Sequence, residues 1–258
     1  MKPYIFIMGI ILSMGLHHAS EAEEVVRLSS VEWPPYFSAA LEHDGIGSRI
    51  IAEAFALEGI RVEYTYLPAK RALFMAQEGN FDGTVSWQMN AEREPYFYAS
   101  ETLWEVPWVF FHLTSYSFDW TTFDDLKHVR IGGTLEYMYS EEFLRAEQLK
   151  KIMVDRVPSD DLNLKKLLAG RIDIFPQVLD IGYYQLRELF NADTVNLFTH
   201  HPRPLSMHKD QLLLSKKSPR GQALLDIFNR GFRKLQESGK YDAYFEAFRK
   251  GEYGKKQK

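Results

Sequence analysis

The sequence predicts an α/β protein of two lobes, each a largely parallel sheet flanked by helices. Three observations carry this. Strand-like and helix-like runs alternate β-α-β-α-β through the first part of the chain, the pattern of a parallel sheet with helices on its faces. The alternation resumes after residue 129 with a second set. Two irregular polar stretches, residues 114–122 and 199–208, divide the chain, and a strand and two helices follow the second. Two crossings between lobes imply a hinged pair. The expected first lobe is discontinuous, residues 23–113 plus 209–258, and the second spans 114–208.

In chain order, residues 25–31 read as a strand stopped by Pro34 and Pro35, which stiffen the loop carrying Trp33, Tyr36 and Phe37. That loop sits at the carboxyl end of a strand, where open α/β sheets bind ligands. Residues 48–58 have helical spacing closed by Gly59, residues 60–67 alternate as a strand, and Pro68 opens a helix with Arg71 in its first turn. Residues 84–87 and 106–112 are strands. Thr121 or Thr122 caps a short helix over 124–127, and residues 129–132 are a strand feeding a loop that holds Glu136 and Tyr137. Ser140 caps the next helix, with Glu141 and Glu142 in its first turn. Strands follow at 151–157 and 171–175, with a Ser159-capped helix between them. A helix over 177–191, interrupted by Gly182, and a strand at 194–198 close the second set. Residues 211–215 are a strand, Pro219 starts an amphipathic helix ending at Gly239, and a last helix carries Tyr241, Tyr244, Phe245 and Phe248.

Composition excludes some classes. Hydrophobic residues are 45% and charged residues 26%, an ordinary globular balance. A net charge of -4 with both signs dispersed gives no nucleic-acid footprint. With no cysteine there is no disulfide framework, thiolate catalysis or lipid-anchoring thiol. Lys2, the apolar run 3–16 and the small residues Ala19, Ser20 and Ala22 read as a signal peptide, residues 1–22, cleaved after Ala22, because the run is short of the roughly 20 residues that span a bilayer. The expected mature chain is an exported, soluble monomer. His200, His201 and His208 have no acidic partner at metal-ligand spacing, so no metal or other cofactor is expected.

Residues 81–100, FDGTVSWQMNAEREPYFYAS, are the stretch most suited to a ligand. A strand ends at Trp87, a polar turn with Gln88 and Asn90 follows, and Arg93 is presented from it. A guanidinium fork on a strand-end turn matches a carboxylate bidentately. This turn, with the WPPY run at residues 33–36, LLAGRID at 167–173, and the SKKSP and FNRGFRKLQESGKY blocks between 215 and 241, resembles the bacterial family 3 extracellular solute-binding proteins, the polar amino-acid receptors of ABC transporters. The resemblance covers nearly all of the expected mature chain. It implies a type II periplasmic-binding-protein-like fold, a periplasmic location, hinge closure on a small anionic or amino-acid-like ligand, and presentation to a membrane permease.

The resemblance also implies site residues. Arg93 would hold the ligand carboxylate, with Arg71 a second anion contact. Trp33, Tyr36, Trp87 and Tyr137 would wall the cleft, and Gln88 and Asn90 would line the turn. The family's ammonium-binding acid falls at Val178. Either Asp180 takes that role or the ligand is not an α-amino acid, because an unpaired ammonium in a closed cleft is costly. The alternatives are an enzyme on the same scaffold, a cyclohexadienyl-type dehydratase with Glu32, Glu136 or Asp180 as its acid, and a ligand-sensing partner of a membrane receptor. No nucleophile elbow or phosphate loop is present, and the expectation is a binding protein rather than an enzyme.

Overall fold

A computed structural model describes residues 24–250 except Glu136, together with Tyr253 and Lys256, and at Ser86 the backbone alone. The signal peptide expected over residues 1–22 therefore lies outside the described residues, as does Glu136.

The first lobe is built on three parallel strands, β1 (Glu24–Ser30), β2 (Ile60–Tyr66) and β3 (Gly83–Trp87), linked by helices α1 (Ile46–Ala56) and α2 (Ala69–Gln77). After the short β4 (Phe97–Ala99) comes the long β5 (Trp104–Leu113). The second lobe contains β6 (Ile131–Thr134), α3 (Glu141–Gln148), β7 (Val154–Val157), α4 (Asp160–Leu168), β8 (Phe175–Val178), α5 (Leu179–Leu189), α6 (Ala192–Val195) and β9 (Phe198–His200). The chain returns along β10 (Ser206–Ser215) and ends in α7 (Gly221–Glu237) and α8 (Lys240–Arg249).

One sheet runs through both lobes in the order β2-β1-β3-β10-β5-β8, with β4 on β10 and β9 on β5, while β6 and β7 form a separate parallel pair. The expected largely parallel sheets are thus confined to β2-β1-β3 and β6-β7, and everything that pairs with β5 or β10 is antiparallel. The reason is topological. Antiparallel neighbours need no crossover helix, and β5 and β10 are the two passages between lobes.

Two other expectations shift. The strand expected at 171–175 begins at Phe175 and takes in Pro176. This strand lies at the sheet edge, paired only with β5 within the main sheet, and there a missing backbone N–H is tolerated. The strand expected at 194–198 is instead α6, capped by Asn191 accepting from Thr194 N, followed by β9. The short helix near residue 124 does form, as a 3-10 turn over Phe123–Leu126 with a Thr122–Asp125 capping box.

Trp104 and Val106 pack in the core of the first lobe with Val26, Leu28, Ile50, Phe55 and Phe228. Farther along the same strand, Phe110 joins Trp120, Phe143 and Ile174, and Val109 and Phe111 join Leu164, Phe175 and Leu186. Along β5 the side chains thus join the first cluster at Trp104 and Val106 and the other two from Val109 on. Gly182, which weakens α5 as a helix, lets the Phe111 ring lie against the helix backbone where a methyl group would collide.

Helix α7 packs against α1. A Cβ at Gly231 would run into the Ala54 carbonyl oxygen of α1, so this glycine sets the closest approach of the two helices. No helix among the described residues is long and apolar enough to cross a membrane. Gly231→Ala is expected to force α7 away from α1 and to destabilise the protein by about 1–3 kcal/mol, the usual penalty for overpacking. Urea denaturation would measure it, and an unchanged midpoint would show that the helices slide without strain.

Candidate functional site

Asn90 builds the turn that carries Arg93. Its side-chain oxygen accepts from Arg93 N at 3.0 Å, and its carbonyl accepts from Arg93 N and Glu94 N. This is an Asx-type turn, which fixes the backbone locally. The guanidinium carbon of Arg93 lies 4.7 Å from the Trp87 ring centroid, in cation–π geometry. Nη1 donates to the Gln88 carbonyl at 2.6 Å. The Trp87 indole is itself fixed by donation to Thr84 Oγ1 at 3.1 Å. Among the described residues no carboxylate lies within ion-pair distance of Arg93, and burial lowers its pKa. In the structure, then, Gln88 and Asn90 hold Arg93 through a carbonyl and a capping oxygen.

The floor between the lobes is the β5–β10 ladder. Its register sets Trp104, Val106 and Trp108 opposite Asp210, His208 and Ser206. Alternation puts these six residues on one face. Asp210 is 1% exposed, and its Oδ2 accepts from Trp104 Nε1 at 2.9 Å. Oδ1 is buried without a hydrogen bond and lies 3.9 Å from His208 Nε2. Burial raises the Asp210 carboxyl to about 7, against a smaller opposing effect of the indole donor. Burial and, to a smaller extent, the Arg93 charge lower the pKa of His208. Neither His208 nor Asp210 was singled out as a ligand contact from the sequence. The signal available there was their i, i+2 spacing on a strand between the lobes.

Trp33 is half-buried at the first-lobe side. Tyr36, expected to face the cleft, is fully buried instead. It stacks between Trp33 and Trp104 at centroid distances of 5.4 and 5.3 Å, and its hydroxyl donates to Asp180 Oδ2 at 3.0 Å. Burial and the Asp180 charge push its phenol well above the usual value. The WPPY loop thus reaches past its own lobe, because Asp180 stands in the first turn of α5, and Val178 and Ile181 from the same segment pack in the first-lobe core. Arg71 is exposed in the first turn of α2.

On the opposing side, Tyr137 is half-buried and edge-on to Trp108 at 6.1 Å. Its loop is held from below. Asp160 accepts from Thr134 Oγ1 at 2.5 Å and from Gln185 Nε2 at 3.2 Å, and Arg156 Nη1 donates to the Thr134 and Tyr137 carbonyls. Burial and the Asp160 charge raise the Tyr137 phenol. The three histidines of the return segment part company. His200 meets Tyr183, His201 meets Asp119, and His208 faces Asp210. Among the described residues no group of three or more His, Asp or Glu side chains could hold a metal.

No protein-family model and no curated relative matches the chain. Solved structures do match. An ancestral arginine-binding protein bound to arginine superimposes with a TM-score of 0.67 at 16% identity, covering 86% of this chain and 96% of the other. This chain has the periplasmic-binding-protein fold. A histidine kinase sensor domain with similarity to periplasmic binding proteins gives 0.67 at 16% identity, covering 86% and 95%. Substrate-binding domain 2 of GlnP from Lactococcus lactis, in an open conformation, gives 0.63 at 16% identity, covering 86% and 94%.

The Asp210 carboxyl has a pH signature. The folded state keeps its proton to about pH 7, whereas the unfolded chain releases it near the ordinary value of 3.8. Between those limits the native state binds more protons, so stability falls as pH rises through the window, and the deficit is complete above it. Asp210→Asn keeps an acceptor for Trp104 and removes the ionisation. Thermal melts should show the variant more stable than wild type at pH 8, with no such advantage at pH 4. An equal difference at both pH values would mean that Asp210 does not titrate in this window.

Proposed function

We propose that this protein is a periplasmic solute-binding protein that captures a small anionic or amino-acid-like ligand between its lobes and presents the closed form to a membrane partner. The observation that carries the reading is Arg93, a half-buried guanidinium aligned by Trp87, Gln88 and Asn90 with no carboxylate partner among the described residues. A pre-oriented charge with donors left over is arranged for an incoming anion, and little freedom is lost when that anion arrives. The names of the matching structures, which speak of arginine binding, a kinase sensor domain and a substrate-binding domain, support a binding role over catalysis.

Trp33, Trp87 and Tyr137 supply the apolar wall, Arg93 the anchor and Arg71 a rim charge. Gln88 and Asn90 line the turn beside the ligand. Asp180 offers an acceptor that Tyr36 already orients. A ligand with a ring or other apolar portion beside its carboxylate suits such a wall. Closure follows from differential affinity, because only the closed form lets both lobes touch the ligand. The partner reading that closed form is the permease of an ABC transporter or a membrane-bound sensor. The protein acts as an exported, periplasmic monomer without a cofactor.

Native mass spectrometry of the purified protein would identify a ligand carried through isolation, and calorimetry with that ligand tests the anchor. Arg93→Ala is expected to weaken binding about 10- to 100-fold, the equivalent of roughly 1.5–3 kcal/mol for a charge-assisted bidentate pair. Arg93→Lys should be nearly as damaging, since it keeps the charge and loses the fork. Arg71→Ala should change affinity only a few-fold, because exposed charge pairs contribute about 0–1 kcal/mol. Unchanged affinity in Arg93→Ala would return Arg93 to a surface role and remove the case for an anionic ligand.

A further inference from the structure

The floor of the cleft holds one buried polar atom that the fold does not satisfy. Asp210 Oδ1 is shut off from water without a hydrogen-bond partner among the described residues, and an unmade bond on a buried oxygen costs about 1–3 kcal/mol. His208 Nε2 lies 3.9 Å from it, too long for a hydrogen bond and within reach of a small side-chain adjustment. His208 is about one-third exposed, its side chain being 35% accessible, and it stands close enough to Arg93 to feel that charge. On the same strand Gln211 stands opposite Trp87 and accepts from Met89 N at 3.2 Å, so this half-open imidazole sits beside a buried carboxyl group on the strand that borders the Arg93 turn.

We propose that His208, backed by Asp210, is a second anion-contact residue at the cleft floor, and that it engages a ligand carboxylate only while the Asp210–His208 pair carries a proton. This rests on the reading of Arg93 as an anion site. The stereochemistry of the ring supports the proton requirement. With Nε2 turned toward Asp210, the donor left for a ligand is Nδ1–H. If Asp210 is ionised, Nε2 must also be protonated to donate to it, and the ring is an imidazolium. If Asp210 holds the proton, it donates to Nε2 and the ring is neutral with its hydrogen on Nδ1. Both forms contain one proton beyond the fully deprotonated pair, and the two sites titrate as a unit. Loss of that proton leaves a net negative charge beneath the anion and removes a donor, so affinity falls as pH rises through the pair's titration.

The surroundings set the direction. Arg93, from the turn after β3, disfavours the charged imidazole. Val106, opposite on β5, is uncharged. Lys209 points to the other face of β10 and is 3.1 Å from Glu105. Tyr36 stacks on Trp104, and Asp180 lies behind it, bonded to the phenol. Burial is the larger cause of the lowered His208 pKa and the Arg93 charge the smaller, and an anion seated on Arg93 offsets the second, so binding favours proton uptake.

Benzoate is a suitable probe, a carboxylate on one aromatic ring. The His208 imidazole resonance, assigned by its loss in His208→Gln, is titrated by NMR in benzoate and in chloride at equal ionic strength. In wild type the midpoint should rise by about half a pH unit or more in benzoate, since an adjacent anion favours the protonated ring. An unchanged midpoint overturns the proposal. Repeating the pair of titrations in Arg93→Gln separates the two ideas. If benzoate no longer shifts His208, Arg93 seats the anion as proposed and His208 is its neighbour. If the shift persists, His208 contacts the anion by itself, and it is the Arg93 anchor that fails.

Discussion

One antiparallel ladder, β5 against β10, carries much of the structure. These strands are the two covalent passages between lobes, and they are hydrogen-bonded to each other where they pass. A linker of two free loops would let the lobes drift. A paired ribbon restricts relative motion to bending and twisting along one line, and it keeps the residues on its inner face in register whatever the lobes do. Trp104, Val106, Trp108, Ser206, His208 and Asp210 therefore share one face of the ribbon. The cores on either side begin from this ribbon, with Trp104 and Val106 in one and Val109, Phe110 and Phe111 in the others.

In the proposed site the two lobes divide the chemistry. The first supplies a cation on a short, internally bonded turn, where Asn90 and Gln88 commit their own polar atoms to holding Arg93. The second supplies a loop clamped by Asp160 and Arg156, with Tyr137 at its surface. Tyr36 joins them through Asp180, a side chain from the first lobe fixed to the opening turn of a second-lobe helix. The bond lies close to the ribbon axis, since Tyr36 stacks on Trp104, and a contact near the axis moves little when the lobes swing.

The alternation of strands and helices and their caps could be read from the sequence, because they depend on local signals. Ser140 and Ser159 cap where their hydroxyls predict, and the Thr122 capping box forms. The sheet order could not be read, because strand pairing depends on contacts far apart in sequence. The continuous mixed sheet and the edge position of β8, which admits Pro176, follow from β5 and β10 pairing with each other. In the site, the turn presenting Arg93 was legible as a strand end followed by polar residues. Tyr36 was misplaced because an aromatic after a strand may face either a cleft or a core, and only the positions of Trp104 and Phe248 decide it. His208 and Asp210 were hidden for the same reason, since a strand between lobes shows its register only once its partner is known.

The aromatic residues clustered on the ribbon have an optical consequence. Of the five tryptophans, Trp104 and Trp108 are on the ribbon, Trp33 stacks on Tyr36, and Trp87 lies under the Arg93 guanidinium. Each has a distinct quencher or polar neighbour: a guanidinium over Trp87, a titrating carboxyl on the Trp104 nitrogen, and tyrosines beside Trp33 and Trp108. Only Trp120 sits away from them, buried in the second-lobe core. Under the proposed hinge closure the emission of this protein is weighted toward the ribbon and the Arg93 turn, so the native chain would report its own opening and closing without an attached dye.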